Sequence, residues 1–178
     1  VAFTGLNRST VGVLVSELAD VGLVFEGAGS AGQVGRPSLV VQPVPASAVV
    51  VAFDLRVERT VAALVGLGGD VLQRKEQRHK RSSYTPETAL RNIVALAGSM
   101  LGNAPHPSTW VGIGIGVPGI VDHLDGRVRL APNLGWSDVP LGVMVREALT
   151  AEFGFAPSAC WAKVAASITD TELLPRLA

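Results

Sequence analysis

The chain has 178 residues, and its 15 lysines and arginines balance 15 aspartates and glutamates to a formal net charge of +0. That balance excludes an electropositive block bound to nucleic acid by charge alone, so any DNA contact has to be local. The one cysteine, Cys160, excludes an intrachain disulfide framework and points to a reducing cytoplasm, while the longest apolar run, Ala48 to Phe53, is far short of the ~18 residues a membrane span needs.

In chain order, the first expected element is a helix entered near Asn7. Val11, Leu14, Val15 and Leu18 recur at i, i+3, i+4 and i+7, one apolar stripe. Burying that stripe turns Arg8, Ser9, Gly12, Val13 and Ser16 outward. Asn7 is suited to the N-cap, and a helix N-terminus bearing a guanidinium and hydroxyls suits a phosphate backbone. Asn7, Arg8, Ser9, Thr10 and Ser16 are therefore candidate DNA-contacting residues on a recognition helix. Gly22 ends it, a short strand is expected over Leu23 to Glu26, and a glycine-rich hairpin follows from Gly27 to Gly35. Arg36, between Gly35 and Pro37, is shaped as the tip of a wing that enters a minor groove. Taken singly, each piece is as well an ordinary amphipathic helix or surface hairpin; their order favours the DNA-facing reading.

The prolines of residues 42–47 disfavour helix and central strand, so this stretch reads as a linker between a partial winged helix-turn-helix over 1–41 and a second domain. Three strands are expected next, Val49 to Leu55, Thr60 to Gly66 and Val71 to Gln77. Pro86 to Leu101 reads as a helix capped by Thr85, with Leu90, Ile93, Val94, Ala97 and Leu101 on its core face, and Val111 to Val117 as a fourth strand. Glycines at 112, 114 and 116 clear one face of that strand for another backbone or a ligand. Pro118-Gly119 then turns the chain, and Asp125-Gly126 makes a hairpin turn. His79, His106 and His123 lie apart without cysteines or paired acids and read as surface residues, so no metal site is expected. The basic run Arg74 to Arg81 reads as a solvated strand end and loop. Asp122 reads as structural, and no cofactor or catalytic set is apparent.

The order strand, strand, strand, helix, strand, with Gly-Arg-Pro at 35–37, Asp54, Gly112 to Asp122 and Ala131 to Trp136, resembles the ROK family. The resemblance is to its regulators, which join a winged helix-turn-helix to a sugar-kinase-like body. It implies an α/β fold: a partial winged helix-turn-helix, then an incomplete actin-like, ribonuclease H-like sugar-kinase domain over 48–155. It also implies DNA and a sugar or sugar-phosphate effector as partners, a homo-oligomer in the full-length protein, and Gly119 and Asn133 as sugar-contacting residues. Two departures stand out. Arg56-Val57-Glu58 occupies the place of the Gly-Gly-Thr that approaches ATP phosphates in the kinases, and residues 156–163 lack the catalytic aspartate of the Glu-Asn-Asp run. The expectation is a regulator and not an enzyme, truncated at both ends, with residues 156–178 a frame-shifted or otherwise aberrant or divergent tail. A ROK sugar kinase and a defective fragment are the alternatives.

Overall fold

The computed structural model describes residues 5–28, 39–102, 110–154 and 158–163. Arg36 and most of its hairpin, and likewise His106, lie outside the described residues.

Helix α1 runs Arg8–Asp20, and Asn7 caps it as expected: its carboxamide oxygen accepts from the Thr10 amide at 2.8 Å. The expected core face is only partly realised. Val11, Val15 and Ala19 are half-buried, whereas Leu14 and Leu18 stay about two-fifths exposed and no residue of α1 is fully buried. Among the described residues the helix packs against β1 (Val24–Ala28), which pairs antiparallel with β2 (Leu39–Pro43). One ribbon covers too little surface to bury a four-residue stripe.

Residues 42–47, read as a linker, are themselves ordered. Gln42 and Pro43 pair with Phe25 and Val24 at the end of β2, and Pro45–Ser47 forms a short 3-10 turn. Its Pro45 carbonyl accepts from the Leu67 amide at 3.0 Å. Proline cannot donate to a sheet, but it closes an edge strand and fits a tight turn. The segment is therefore structured and seated on the second domain.

That domain is built on a five-stranded sheet in the order β10-β6-β3-β4-β5. Strands β3 (Val49–Leu55), β4 (Arg59–Gly66) and β5 (Val71–Arg78) form the expected antiparallel meander, and β6 (Trp110–Val117) lies parallel to β3. Alternation on β3 puts Val49, Val51, Phe53 and Leu55 on one buried face, joined by Ala62 and Leu64 of β4 and by Ile113, Ile115 and Val117 of β6. Helix α2 (Pro86–Leu101) covers this face, and α3 (Leu141–Phe153) packs beside α2. The core side of α2 is rotated from the expected one: Ala89, Asn92, Ile93, Leu96, Ala97 and Met100 are buried, while Leu90, Val94 and Leu101 sit at its margin. Apolar residues flank the stripe on both sides, so periodicity alone did not fix its centre.

On the opposite face, Val50, Ala52 and Asp54 align with Gly112, Gly114 and Gly116. A small sheet of β7 (Ile120–Val121), β8 (Val128–Ala131) and β9 (Trp136–Val139) follows. Within the tail expected to be aberrant from 156, β10 (Ser158–Lys163) pairs parallel to β6 over Gly112 to Val117, while residues 164–178 lie outside the described residues. The chain there continues the sheet.

Candidate functional site

Two turns meet beside the small sheet. One is the 3-10 turn Arg81–Ser83 between β5 and α2, and the other is the turn Pro132 to Gly135 between β8 and β9. Arg81, Ser82, Pro132, Asn133, Leu134 and Gly135 line an open hollow of about 540 Å³ between them. The second turn is held by the Leu134 amide on the Ala131 carbonyl at 3.0 Å and the Gly135 amide on the Pro132 carbonyl at 3.2 Å. Gly135 adopts φ 70°, a left-handed conformation that costs glycine little. Asn133 is exposed at the rim, and its carboxamide bonds to none of the described residues. It is not a capping residue; it is a donor and acceptor pair turned to solvent beside the hollow.

An aromatic stack ties the two walls together. The Tyr84 ring lies between His79, with centroids 3.4 Å apart and planes 4° from parallel, and Trp136 at 5.7 Å. Trp136 Nε1 donates to the Tyr84 carbonyl at 3.2 Å, and the Tyr84 hydroxyl shares a 2.7 Å hydrogen bond with Thr60 Oγ1. Burial pushes the Tyr84 phenol up to about 12, outweighing the Thr60 hydrogen bond that lowers it. His79 is therefore not the surface histidine expected: its ring nitrogens are buried, and that burial holds its pKa below the ordinary value against the opposing Arg59 backbone and Glu58 carboxylate. None of Thr60, Tyr84 or Trp136 stood out in the sequence as site residues; that Tyr84 is the chain's one tyrosine was the available signal.

Gly119 is not among the residues lining this hollow. Its amide donates to the Val117 carbonyl at 2.8 Å, so it is not free for a polyol. A β-carbon there would run into the Leu130 carbonyl and the Ala131 side chain, so the glycine is required by close packing of β7 against β8. Of the sequence candidates, Asn133 lines the hollow and Gly119 does not, its amide being engaged within its own turn.

Asp122 is structural, as expected. It accepts from the Leu124 amide at 3.1 Å and from Arg129 at 3.2 Å, and the Asp122 and Gly126 amides close the turn through Arg127 and Asp122 carbonyls. The first of these bonds is the largest cause holding its carboxyl below the usual range. The Asp125-Gly126 turn is wider than a two-residue hairpin, because this loop is closed across Asp122 to Arg127.

At the turn between β3 and β4, Arg56 Nε meets Asp54 Oδ2 at 2.5 Å, and Arg56, Val57, Glu58, Arg59 and Arg78 line a second hollow of about 350 Å³. Side chains fill this turn, and the Asp54 carboxylate is engaged by the chain's own guanidinium. On α1, Arg8, Ser9, Thr10 and Ser16 are all exposed. The Ser9 hydroxyl donates to Asn7 Oδ1 at 2.7 Å and Ser16 to the Gly12 carbonyl at 3.1 Å, which leaves the Arg8 guanidinium as the free cation of the first turn among the described residues. There too, no group of three or more potential ligands for a metal is found. No described helix is long and apolar enough to cross a membrane.

Comparison with known proteins places these features. The ROK family profile matches residues 50–172, which takes the likeness well past Phe155 and through β10. The chain is 34% identical over 143 residues, 80% of its length and 36% of the relative's, to the xylose repressor of Caldicellulosiruptor bescii. It spans about a third of the length of the curated relatives it matches. Among solved structures, a ROK family transcriptional regulator, a homologue of the Escherichia coli Mlc protein, aligns at TM-score 0.58 and 19% identity over 89% of this chain and 38% of that one. A glucokinase from Parabacteroides distasonis aligns at TM-score 0.51 and 18% identity over 66% of this chain and 31% of its own. Both share the α/β fold of the described sheet, and the chain belongs to the ROK family.

Proposed function

We propose that this chain is part of a sugar-responsive, DNA-binding repressor of the ROK type, in which α1 is the recognition helix, Arg36 the wing tip and the hollow at Asn133 the effector site. The observation that carries this reading is the 34% identity to a xylose repressor over four-fifths of the chain. Arg8 supplies a local cation at a helix N-terminus on a chain of zero net charge, the arrangement a phosphate-positioning contact needs. The full-length protein then acts as a homo-oligomer on DNA in the cytoplasm.

A sugar kinase is the second reading, favoured by the fold shared with a glucokinase. Against it stands the Arg56–Asp54 contact in a turn where backbone would have to approach phosphate, with Val57 and Glu58 adding bulk and negative charge. Regulation without phosphoryl transfer is therefore the activity proposed.

The test is fluorescence anisotropy with labelled duplexes taken from the DNA upstream of the protein's own coding sequence, titrated in salt. Replacing Arg8 or Arg36 by alanine is expected to weaken binding and to reduce the salt slope by roughly 0.9 per lost phosphate contact. Unchanged affinity and slope in both variants would remove the winged-helix assignment. Sugar is expected to release the DNA, and Asn133→Ala to blunt that release.

A further inference from the structure

We propose that the hollow at Asn133 selects a monosaccharide carrying an anionic group over a neutral one, with Arg81 as the residue that makes the choice. This rests on the effector reading above and names the class of ligand. Of the six residues lining the hollow, Arg81 is charged and none is acidic. The Arg81 guanidinium is exposed and makes no ion pair or hydrogen bond with the described residues. A free guanidinium presents a planar fork of donors matched to phosphate or carboxylate.

The backbone behind that side chain is fixed. The Ser83 amide bonds the Lys80 carbonyl at 3.1 Å and the Tyr84 amide bonds the Arg81 carbonyl at 3.3 Å. On either side of the turn, His79 and Tyr84 stack on each other, and Tyr84 is joined to Trp136, the residue that follows the Asn133 turn. The stack therefore sets the spacing between the cationic wall and the carboxamide wall. Ser83 turns its hydroxyl back to Lys80, whereas Ser82 lines the hollow and its hydroxyl bonds to none of the described residues, a second donor for an anion. A space of about 540 Å³ is within the range of small-ligand sites and admits a hexose with one substituent. On the small sheet, the Asp122 and Asp138 carboxylates are both paired with Arg129, and Asp138 with Arg127 as well.

Isothermal titration calorimetry on the full chain, with glucose, glucose 6-phosphate, glucuronate and inorganic phosphate as probes, tests this. Glucose 6-phosphate or glucuronate is expected to bind about tenfold tighter than glucose, and whichever does so identifies the anion. Arg81→Gln should bring charged and neutral sugars within about twofold of each other, Arg81→Lys should give an intermediate preference, and Lys80→Gln, outside the hollow, should change it little. Circular dichroism of each variant confirms its fold. Equal affinity for charged and neutral sugar in the unaltered chain, or a preference that survives Arg81→Gln, overturns the proposal. If glucose still binds in that case and Asn133→Ala abolishes it, the sugar-effector reading stands and the anion selectivity alone falls. Binding of inorganic phosphate as tight as that of glucose 6-phosphate, or no binding of any sugar, overturns both.

Discussion

At the residue scale, Tyr84 concentrates the most consequence in one side chain. It is 3% exposed, bonded to Thr60 through its hydroxyl and stacked with two rings. Because its folded pKa is raised to about 12, the unfolded chain loses this proton first as pH climbs past the ordinary value of 10.0. The contribution to stability is fully present below about pH 10 and is lost as pH rises toward 12. Urea midpoints measured from pH 8.5 to 11 should fall, and the fall should be shallower in Tyr84→Phe. That variant should also be less stable at pH 7 by about 1–2 kcal/mol, since Thr60, itself 0% exposed, keeps a buried hydroxyl without its partner. His79 runs the other way: its lowered pKa makes stability present above its ordinary 6.5 and lost as pH falls below it, and His79→Phe should remove that acid sensitivity. Gly142 makes a separate test. A β-carbon there would meet the Asp125 carbonyl, which belongs to backbone and cannot swing aside, so Gly142→Ala should cost about 1–3 kcal/mol in chemical denaturation.

At the element scale, the rotation of α2 relative to its predicted face is directly measurable. Ile93 and Met100 are 0% exposed, whereas Leu90 and Leu101 lie at the margin of the cluster. Ile93→Ala and Met100→Ala should each lose about 2–5 kcal/mol, and Leu90→Ala distinctly less. A Leu90→Ala loss equal to that of Ile93→Ala would restore the face expected from periodicity. The cap was legible in the sequence because its chemistry is local: Thr85 Oγ1 accepts from the Thr88 amide and Pro86 opens the helix. Which apolar positions are most deeply buried was not, because Ala89 and Asn92 acquire their burial from the sheet beneath them. The strands were legible in location and in pairing order for β3, β4 and β5, since alternation is a local signal. That β6 would insert between β3 and β10 was not a local property of any strand.

At the scale of the whole molecule, the core is unevenly distributed. Among the described residues, every buried apolar residue lies at Val49 or beyond, and α1 contributes none. Opening free energy follows buried contacts, so native-state hydrogen exchange should show α1 and β1 exchanging orders of magnitude faster than β3 and β6. Protection of α1 equal to that of the central strands would mean that it is docked far more extensively than its exposure indicates. The same asymmetry bears on the proposed DNA reading, under which α1, half-covered in isolation, would gain rigidity from the duplex.

What the sequence by itself determined about this protein was whatever depends on neighbours a few residues away: the caps of α1 and α2, the meander, the glycine-lined strand, and the order of motifs that marks the ROK family. The family resemblance also singled out Asn133 as a candidate sugar contact. Tertiary structure decided which of the candidates meet. It withdrew the Gly119 amide, spent on Val117, and set Arg81 and Ser82 opposite Asn133 across a hollow about fifty residues apart in the chain. It also moved His79 from the surface into a stack with Tyr84 and Trp136. The reason is physical: short-range hydrogen bonding and side-chain periodicity are written residue by residue, whereas a site made of two distant turns exists only once the sheet has fixed their separation.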